Sequence, residues 1–203
     1  MTSGFHVCLV GPDGAGKTTI CDLLKDELIA DGHQVKRLVP RPDWFHKVSP
    51  STFDYHRPHA EKPRSPLKSM VQMIKKLVFY TLRRASSRET NTVYLEERGW
   101  LDQAVDHLRY RIHHDTVRFP ELTHWLVGRP DLTVVLGGDA EVIAARKEEL
   151  EVDEVARQLN RWEKLINSSP KQSLILETTD LEIEETVEVI KEALAQGRKL
   201  AQA

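Results

Sequence analysis

The chain has 203 residues and only two cysteines, Cys8 and Cys21, too few for a disulfide framework. Both sit among apolar neighbours, and the expectation is two buried thiols in a reducing compartment. No apolar run is long enough to cross a bilayer; "HVCLV" and "LTVVL" are of strand length. "MTSG" leads into the first of these with no basic stretch and no cleavage site, which argues for the cytoplasm and against secretion. There is no internal repeat and no linker between domains, so 1–203 reads as a single domain. What is present, 40% apolar and 30% charged residues, belongs to a soluble globular protein with a real core.

A net charge of −2 hides an asymmetry. Residues 31–90 hold 13 Lys/Arg against 5 Asp/Glu, and residues 148–192 hold 5 against 13. This fits an anionic partner on the first half, and it fits equally well two solvated faces of opposite sign.

Strand-like and helix-like segments alternate. "FHVCLV" (5–10), "QVKRLV" (34–39), "TVYLE" (92–96), "DLTVVLGG" (131–138) and "SLILE" (173–177) read as strands. Helical spacing covers 17–30, where Asp31-Gly32 supplies the stop, then 100–114, 120–127, 139–149, 152–167 and 181–197. Residues 67–84 have apolar positions 67, 70, 71, 74, 77, 78 and 82, an amphipathic helix with a basic far side. Its apolar face is expected to pack on the core and line an acceptor cleft; lying on an anionic membrane is the other reading. Residues 40–66 carry six of the ten prolines and no period, and are expected to form a long acceptor-side loop. The whole predicts a doubly wound α/β domain with a parallel sheet.

One stretch names its chemistry. "GPDGAGKTT" (11–19) matches G-x-x-x-x-G-K-[ST] at Gly11, Gly16, Lys17 and Thr18, between a strand and a helix. Glycines let successive N–H groups turn toward phosphate oxygens, and the helix N-terminus adds positive potential. The expected contacts run through Gly11, Asp13, Gly14, Ala15, Gly16, Lys17, Thr18 and Thr19. Lys17 would reach the β/γ-phosphates, and the Thr18 hydroxyl would ligate Mg²⁺.

This loop resembles that of thymidylate kinases and their relatives among nucleoside and nucleotide kinases. "VYLEERGW" (93–100) is similar to the family's third strand, which ends in an acid–arginine pair. "RPDLTVVLGGDAEVIAARKEE" (129–149) is similar to its fourth strand and the Arg-bearing helix leading to a lid, here placed at 146–161. "HRPHAEKPRSPLKS", "EERGWLDQAVDHLRYR" and "RPDLTVVLGGDAEVIAARKEEL" together look like a subgroup of thymidylate-kinase-like proteins carried beside polysaccharide-assembly genes. The resemblance implies a P-loop kinase with five parallel strands in the order 2-3-1-4-5, using ATP and Mg²⁺. Members are commonly dimers, so a homodimer is implied too; no nucleic-acid partner and no stable membrane insertion are expected.

By the same resemblance, Glu97 would hold the metal directly or through water, or take a proton from an attacking hydroxyl. Arg98 would lie across an acceptor phosphate, Asp13 would face the acceptor's sugar hydroxyl, and Arg146 would meet the γ-phosphate. Arg157 is compatible with a lid role or with pairing to Asp153. Other places depart from the family. Its Arg-Glu-Pro-Gly-Gly stretch is replaced by "VPRPDWFH", which keeps only Arg41-Pro42, and Gly99 precedes the aromatic Trp100. Arg41, Arg109 and Arg111 are candidates for an anionic acceptor and equally for a solvated face. The acceptor is expected to be a nucleoside monophosphate, with a sugar or lipid-linked glycan hydroxyl as the alternative. An NTP-binding switch without a small-molecule acceptor is the third reading. Nine histidines lack metal-ligand spacing, and His113 and His114 would diverge from a helix.

Overall fold

Strand β1 (Phe5–Val10) is buried along its whole length in the computed structural model, which describes residues 4–38, 59, 62–147, 150–167 and 173–202. It is paired on both sides, with β3 (Thr92–Glu97) and β4 (Leu132–Gly137). These are near-continuous apolar runs because a central parallel strand loses solvent from both faces. β2 (Gln34–Leu38) and β5 (Ser173–Glu177) are the more exposed edges. All pairings are parallel, and the order is β2-β3-β1-β4-β5.

This sheet belongs to the first of two compact units, Met1–Leu38 with Ser87–Arg98 and Pro130–Ala203. Helices α1 (Lys17–Ala30), α5 (Ala140–Arg146), α6 (Val152–Asn167) and α7 (Ile183–Gln202) complete the unit. Alternate strand residues Phe5, Val7 and Leu9 share a core with Ile20, Leu24 and Leu28 of α1 and Val187, Ile190 and Leu194 of α7. The Asp31 N–H donates to the Glu27 carbonyl to close α1. Register brings Leu9 beside Glu97, so the carboxyl ends of β1 and β3 finish together. At β1 the strand order reverses, the place where open α/β sheets present their ligand crevice.

The second unit is Val39–Ser86 with Gly99–Arg129. It contains α2 (Pro66–Ser86), α3 (Asp102–Val105), a 3₁₀ turn at His114–Thr116 and α4 (Phe119–Val127). Met73, Tyr80, Trp100, Tyr110, Ile112 and Val127 form its core. Several of its buried polar groups are bonded within it. Trp100 Nε1 donates to the Pro120 carbonyl at 2.9 Å, and Tyr110 Oη to Asp102 Oδ2 at 2.7 Å. His59 Nε2 lies 2.9 Å from Asp106 Oδ1.

Several sequence expectations change here. The helix over 100–114 shrinks to Asp102–Val105, because the chain turns at Asp106 and again at Arg111, whose φ is 55°. Buried Asp102 and Asp106 draw polar partners a continuous helix would not have offered. Since 113–114 is not helical, the two histidine rings lie 4.2 Å apart and both meet Asp115, an ion-pair group at the surface. The face that α2 buries is centred on Ser69, Met73 and Tyr80; of the apolar stripe assigned to the core, Met70 and Leu77 pack against it, while Leu67, Val71, Ile74, Val78 and Leu82 are turned outward. Most of the acceptor-side loop at 40–66, Arg41 included, lies outside the described residues, as do 148 and 149 of the lid region.

Candidate active site

Between β1 and α1, the loop from Gly11 to Gly16 bends through three positive-φ glycines. Two of them admit no other residue without displacement. A Cβ on Gly11 (φ +141°) would stand 2.2 Å from the Leu136 carbonyl oxygen of β4. One on Gly14 (φ +92°) would stand 2.4 Å from the Ile143 carbonyl oxygen of α5. The loop therefore lies flat on neighbouring backbone, which sets the direction of its own N–H groups.

Lys17, the first residue of α1, turns back over this loop. Its Nζ donates to the carbonyls of Gly11 at 2.8 Å and Pro12 at 2.6 Å, and lies 3.8 Å from Asp13 Oδ1. Gly16 holds the αL conformation immediately before the helix. The next residue, Thr18, donates its hydroxyl to Glu97 Oε2 at 2.9 Å. The two residues expected to ligate a metal are thus in contact across the ends of α1 and β3.

Glu97 is mostly buried, and its other oxygen pairs with Arg37 of β2, which also pairs with Asp22 of α1. Sequence reasoning did not single out Arg37. Its signal was faint: one of two adjacent cations on a polar edge strand, with nothing in the spacing to mark it.

Arg98 follows Glu97 with φ 59°, in the left-handed region a branched or long side chain rarely adopts. The Arg98 N–H donates to Leu9 O at 3.0 Å, which ties the turn to the end of β1. Its guanidinium pairs with the Asp13 carboxylate, both largely buried. Two residues expected to face an acceptor separately are held as one ion pair.

Arg146, the last residue of α5, donates to the Thr178 carbonyl at 3.3 Å. The Thr178 hydroxyl in turn lies within hydrogen-bond distance of Gly137 O and Ala15 O. The cation is thereby tethered, through one residue, to the phosphate loop. At the other end of α5, Asp139 caps the helix by accepting from the N–H groups of Glu141 and Val142. Arg157 forms a two-pronged pair with Glu154, three residues earlier and not with Asp153.

Arg109 and Arg111 belong to the second unit. The Arg109 N–H donates to Asp106, and Arg111 Nε donates to the Lys62 carbonyl at 3.1 Å. Cys8 and Cys21 are both buried and unbridged. Burial pushes the Cys21 thiol up from 9.0 to about 11. No helix among the described residues is long and apolar enough to cross a membrane.

No protein-family model matches the chain, and no curated protein does. Among solved structures, a thymidylate kinase from Candida albicans matches at a TM-score of 0.66, over 98% of this chain and 94% of that one, with 14% sequence identity. The chain shares the fold of that enzyme, an α/β domain on a five-stranded parallel sheet in the order β2-β3-β1-β4-β5.

Proposed function

We propose that this protein is a cytoplasmic, Mg²⁺-dependent kinase that moves the γ-phosphoryl group of ATP to a small acceptor. The observation that carries the reading is the contact between Thr18 and Glu97 beside a loop already capped by Lys17. The donor set, a hydroxyl and a carboxylate at 2.9 Å, offers the hard oxygens that Mg²⁺ prefers. When bound, the ion would supply charge neutralisation to the triphosphate.

The chain's own groups have distinct tasks in this reading. Amides of residues 11–19 orient the triphosphate, and Lys17 exchanges the Gly11 and Pro12 carbonyls for phosphate oxygens. Thr18 and Glu97 would hold the ion. Arg98, kept in place by Asp13, and Arg146 meet negative charge on the migrating group. Such catalysis is positioning and electrostatics, the main demand of phosphoryl transfer.

A nucleoside monophosphate is the acceptor this site suits best. The two carboxylates assigned to this site are engaged by cations, Glu97 by Arg37 and Asp13 by Arg98 and Lys17. An acceptor that already carries a phosphate oxygen anion needs no group to take its proton, whereas a sugar or glycan hydroxyl does. The test is ADP release from Mg·ATP across nucleoside monophosphates, nucleosides, sugars and glycan lipids, with Lys17→Ala as control. Stimulation by a monophosphate, abolished in Lys17→Ala, is expected. Stimulation by a hydroxyl acceptor would replace the acceptor class; acceptor-independent hydrolysis alone, or full activity in Lys17→Ala, would overturn the kinase reading.

A further inference from the structure

On a helix, neighbouring His113 and His114 would point apart. Here His113 is extended (φ −68°, ψ 140°) and caps the 3₁₀ turn that begins at His114, so the two rings stand side by side next to Asp115. Each of the three offers a ligand atom within 4.8 Å of the other two. We propose that His113, His114 and Asp115 bind a divalent metal ion of the zinc type. The inference stands apart from the phosphotransfer reading, whose metal would rest on the oxygens of Thr18 and Glu97.

The spacings are close to those of a coordination shell. Zn²⁺ bonds imidazole nitrogen and carboxylate oxygen at about 2.0–2.2 Å, so the corners of its tetrahedron stand about 3.3–3.6 Å apart. His113 Nδ1 lies 3.3 Å from Asp115 Oδ2, and His114 Nε2 lies 2.9 Å from Asp115 Oδ1. The remaining edge, between the rings, closes by rotation of His114, whose side chain is 77% exposed. The Asp115 N–H meets His113 Nδ1 at 3.4 Å, a long hydrogen bond that costs little to give up when Nδ1 turns its lone pair to an ion. Protons alone serve the group less well. One carboxylate satisfies one imidazolium, and a second proton would set two positive rings 4.2 Å apart. A single divalent ion engages both rings in their neutral form, together with the carboxylate.

The backbone that carries these ligands is fixed from beneath. The His113 N–H donates to Oγ of buried Ser69 at 3.0 Å, and the Thr116 N–H and hydroxyl both donate to the His113 carbonyl, at 2.9 and 2.8 Å. Ile112 and Thr116, on either side of the three residues, are buried. Ligands on a backbone held in this way lose little freedom when an ion arrives. The donor set also selects the ion. Two imidazoles and a carboxylate suit Zn²⁺, Cu²⁺ or Ni²⁺, whereas Mg²⁺ takes oxygen throughout. Three protein ligands leave at least one position to water, and the exposure of His114 and Asp115 gives the ion a way in and out.

Titration calorimetry of the untagged, chelator-stripped full chain with Zn²⁺ tests this, in buffer holding excess Mg²⁺ to occupy oxygen-only sites. The wild type is expected to take up about one equivalent with a Kd in the micromolar range. His114→Ala and Asp115→Asn should each weaken uptake at least about tenfold, since loss of even an indirect ligand partner reaches that range. Both side chains are exposed, so circular dichroism and melting of the metal-free variants should match the wild type. A second readout needs no variant. Under the same conditions, paramagnetic Co²⁺ should shift the ring-proton resonances of two of the nine histidines first and leave the other seven in place. No saturable Zn²⁺ uptake at sub-millimolar concentration, uptake indifferent to both substitutions, or Co²⁺ shifts centred on other histidines would each overturn the proposal.

Discussion

Gly14→Ala tests how the phosphate loop is held, because the structure provides its own control. Gly14 and Gly32 have nearly the same φ, +92° and +84°, so alanine at either meets similar backbone strain. They differ in surroundings: a Cβ on Gly32 has nothing within 4 Å, while one on Gly14 would stand 2.4 Å from the Ile143 carbonyl oxygen. Gly32→Ala should cost about 1–2 kcal/mol, from left-handed strain alone. That corresponds to a fall in Tm of a few degrees, at about 2–4 °C per kcal/mol for a chain of this size. Gly14→Ala adds the overlap, which the loop or α5 must relieve by moving nearly an ångström, at a further 1–3 kcal/mol or so. Because α5 ends at Arg146, that movement also disturbs the tether to Thr178. Thermal unfolding of both variants with Mg·ATP titration should show Gly14→Ala melting well below Gly32→Ala and binding at least about tenfold more weakly. If the two melted alike and held nucleotide equally, the packing of the loop against α5 would not be what orients it.

Other consequences are as definite. Tyr110→Phe removes the hydroxyl from buried Asp102 and should destabilise the protein by about 1–3 kcal/mol in urea unfolding; a loss below about 0.5 would contradict the network. Arg37→Ala releases one oxygen of Glu97 and should lower kcat severalfold with little change in Tm, since the Arg37 pairs are partly exposed. A Tm loss with unchanged kcat would make Arg37 a structural residue only. Cys21, raised from 9.0 to about 11, is neutral when folded. Stability from it is complete below pH 9 and falls as the unfolded thiol alone ionises, by about 2–3 kcal/mol in total once pH passes 11. Unfolding at pH 8 and 10.5 should show a steeper loss in the wild type than in Cys21→Ala; identical pH dependence would remove the thiol from the account.

The sheet and the loop were legible because each rests on local signals. β1 and α1 fall at the expected places, since a central strand is a near-continuous apolar run and Asp31-Gly32 supplies a helix stop, and β5 does too. The glycine spacing of 11–16 reflects contacts only glycine tolerates, so it could be read without coordinates. What failed depended on tertiary choice. The apolar period of α2 is real, but a period does not say which neighbour lies on which side; here the helix buries Ser69, Met73 and Tyr80. The segment 100–114 has helical composition, yet Asp102 and Asp106 find partners in Tyr110 and His59 that only a folded-back chain provides. Arg37 acquires meaning solely because β2 lies beside β3.

The central claim is that the main-chain amides of residues 11–19, with Lys17 and Thr18, grip a metal-bound triphosphate. Titration calorimetry with a non-hydrolysable ATP analogue measures this directly. About one equivalent should bind per chain in the presence of Mg²⁺, with affinity reduced at least about tenfold by chelation or by Lys17→Ala. No heat of binding at any accessible concentration, or binding indifferent to Mg²⁺ and to Lys17, would contradict it.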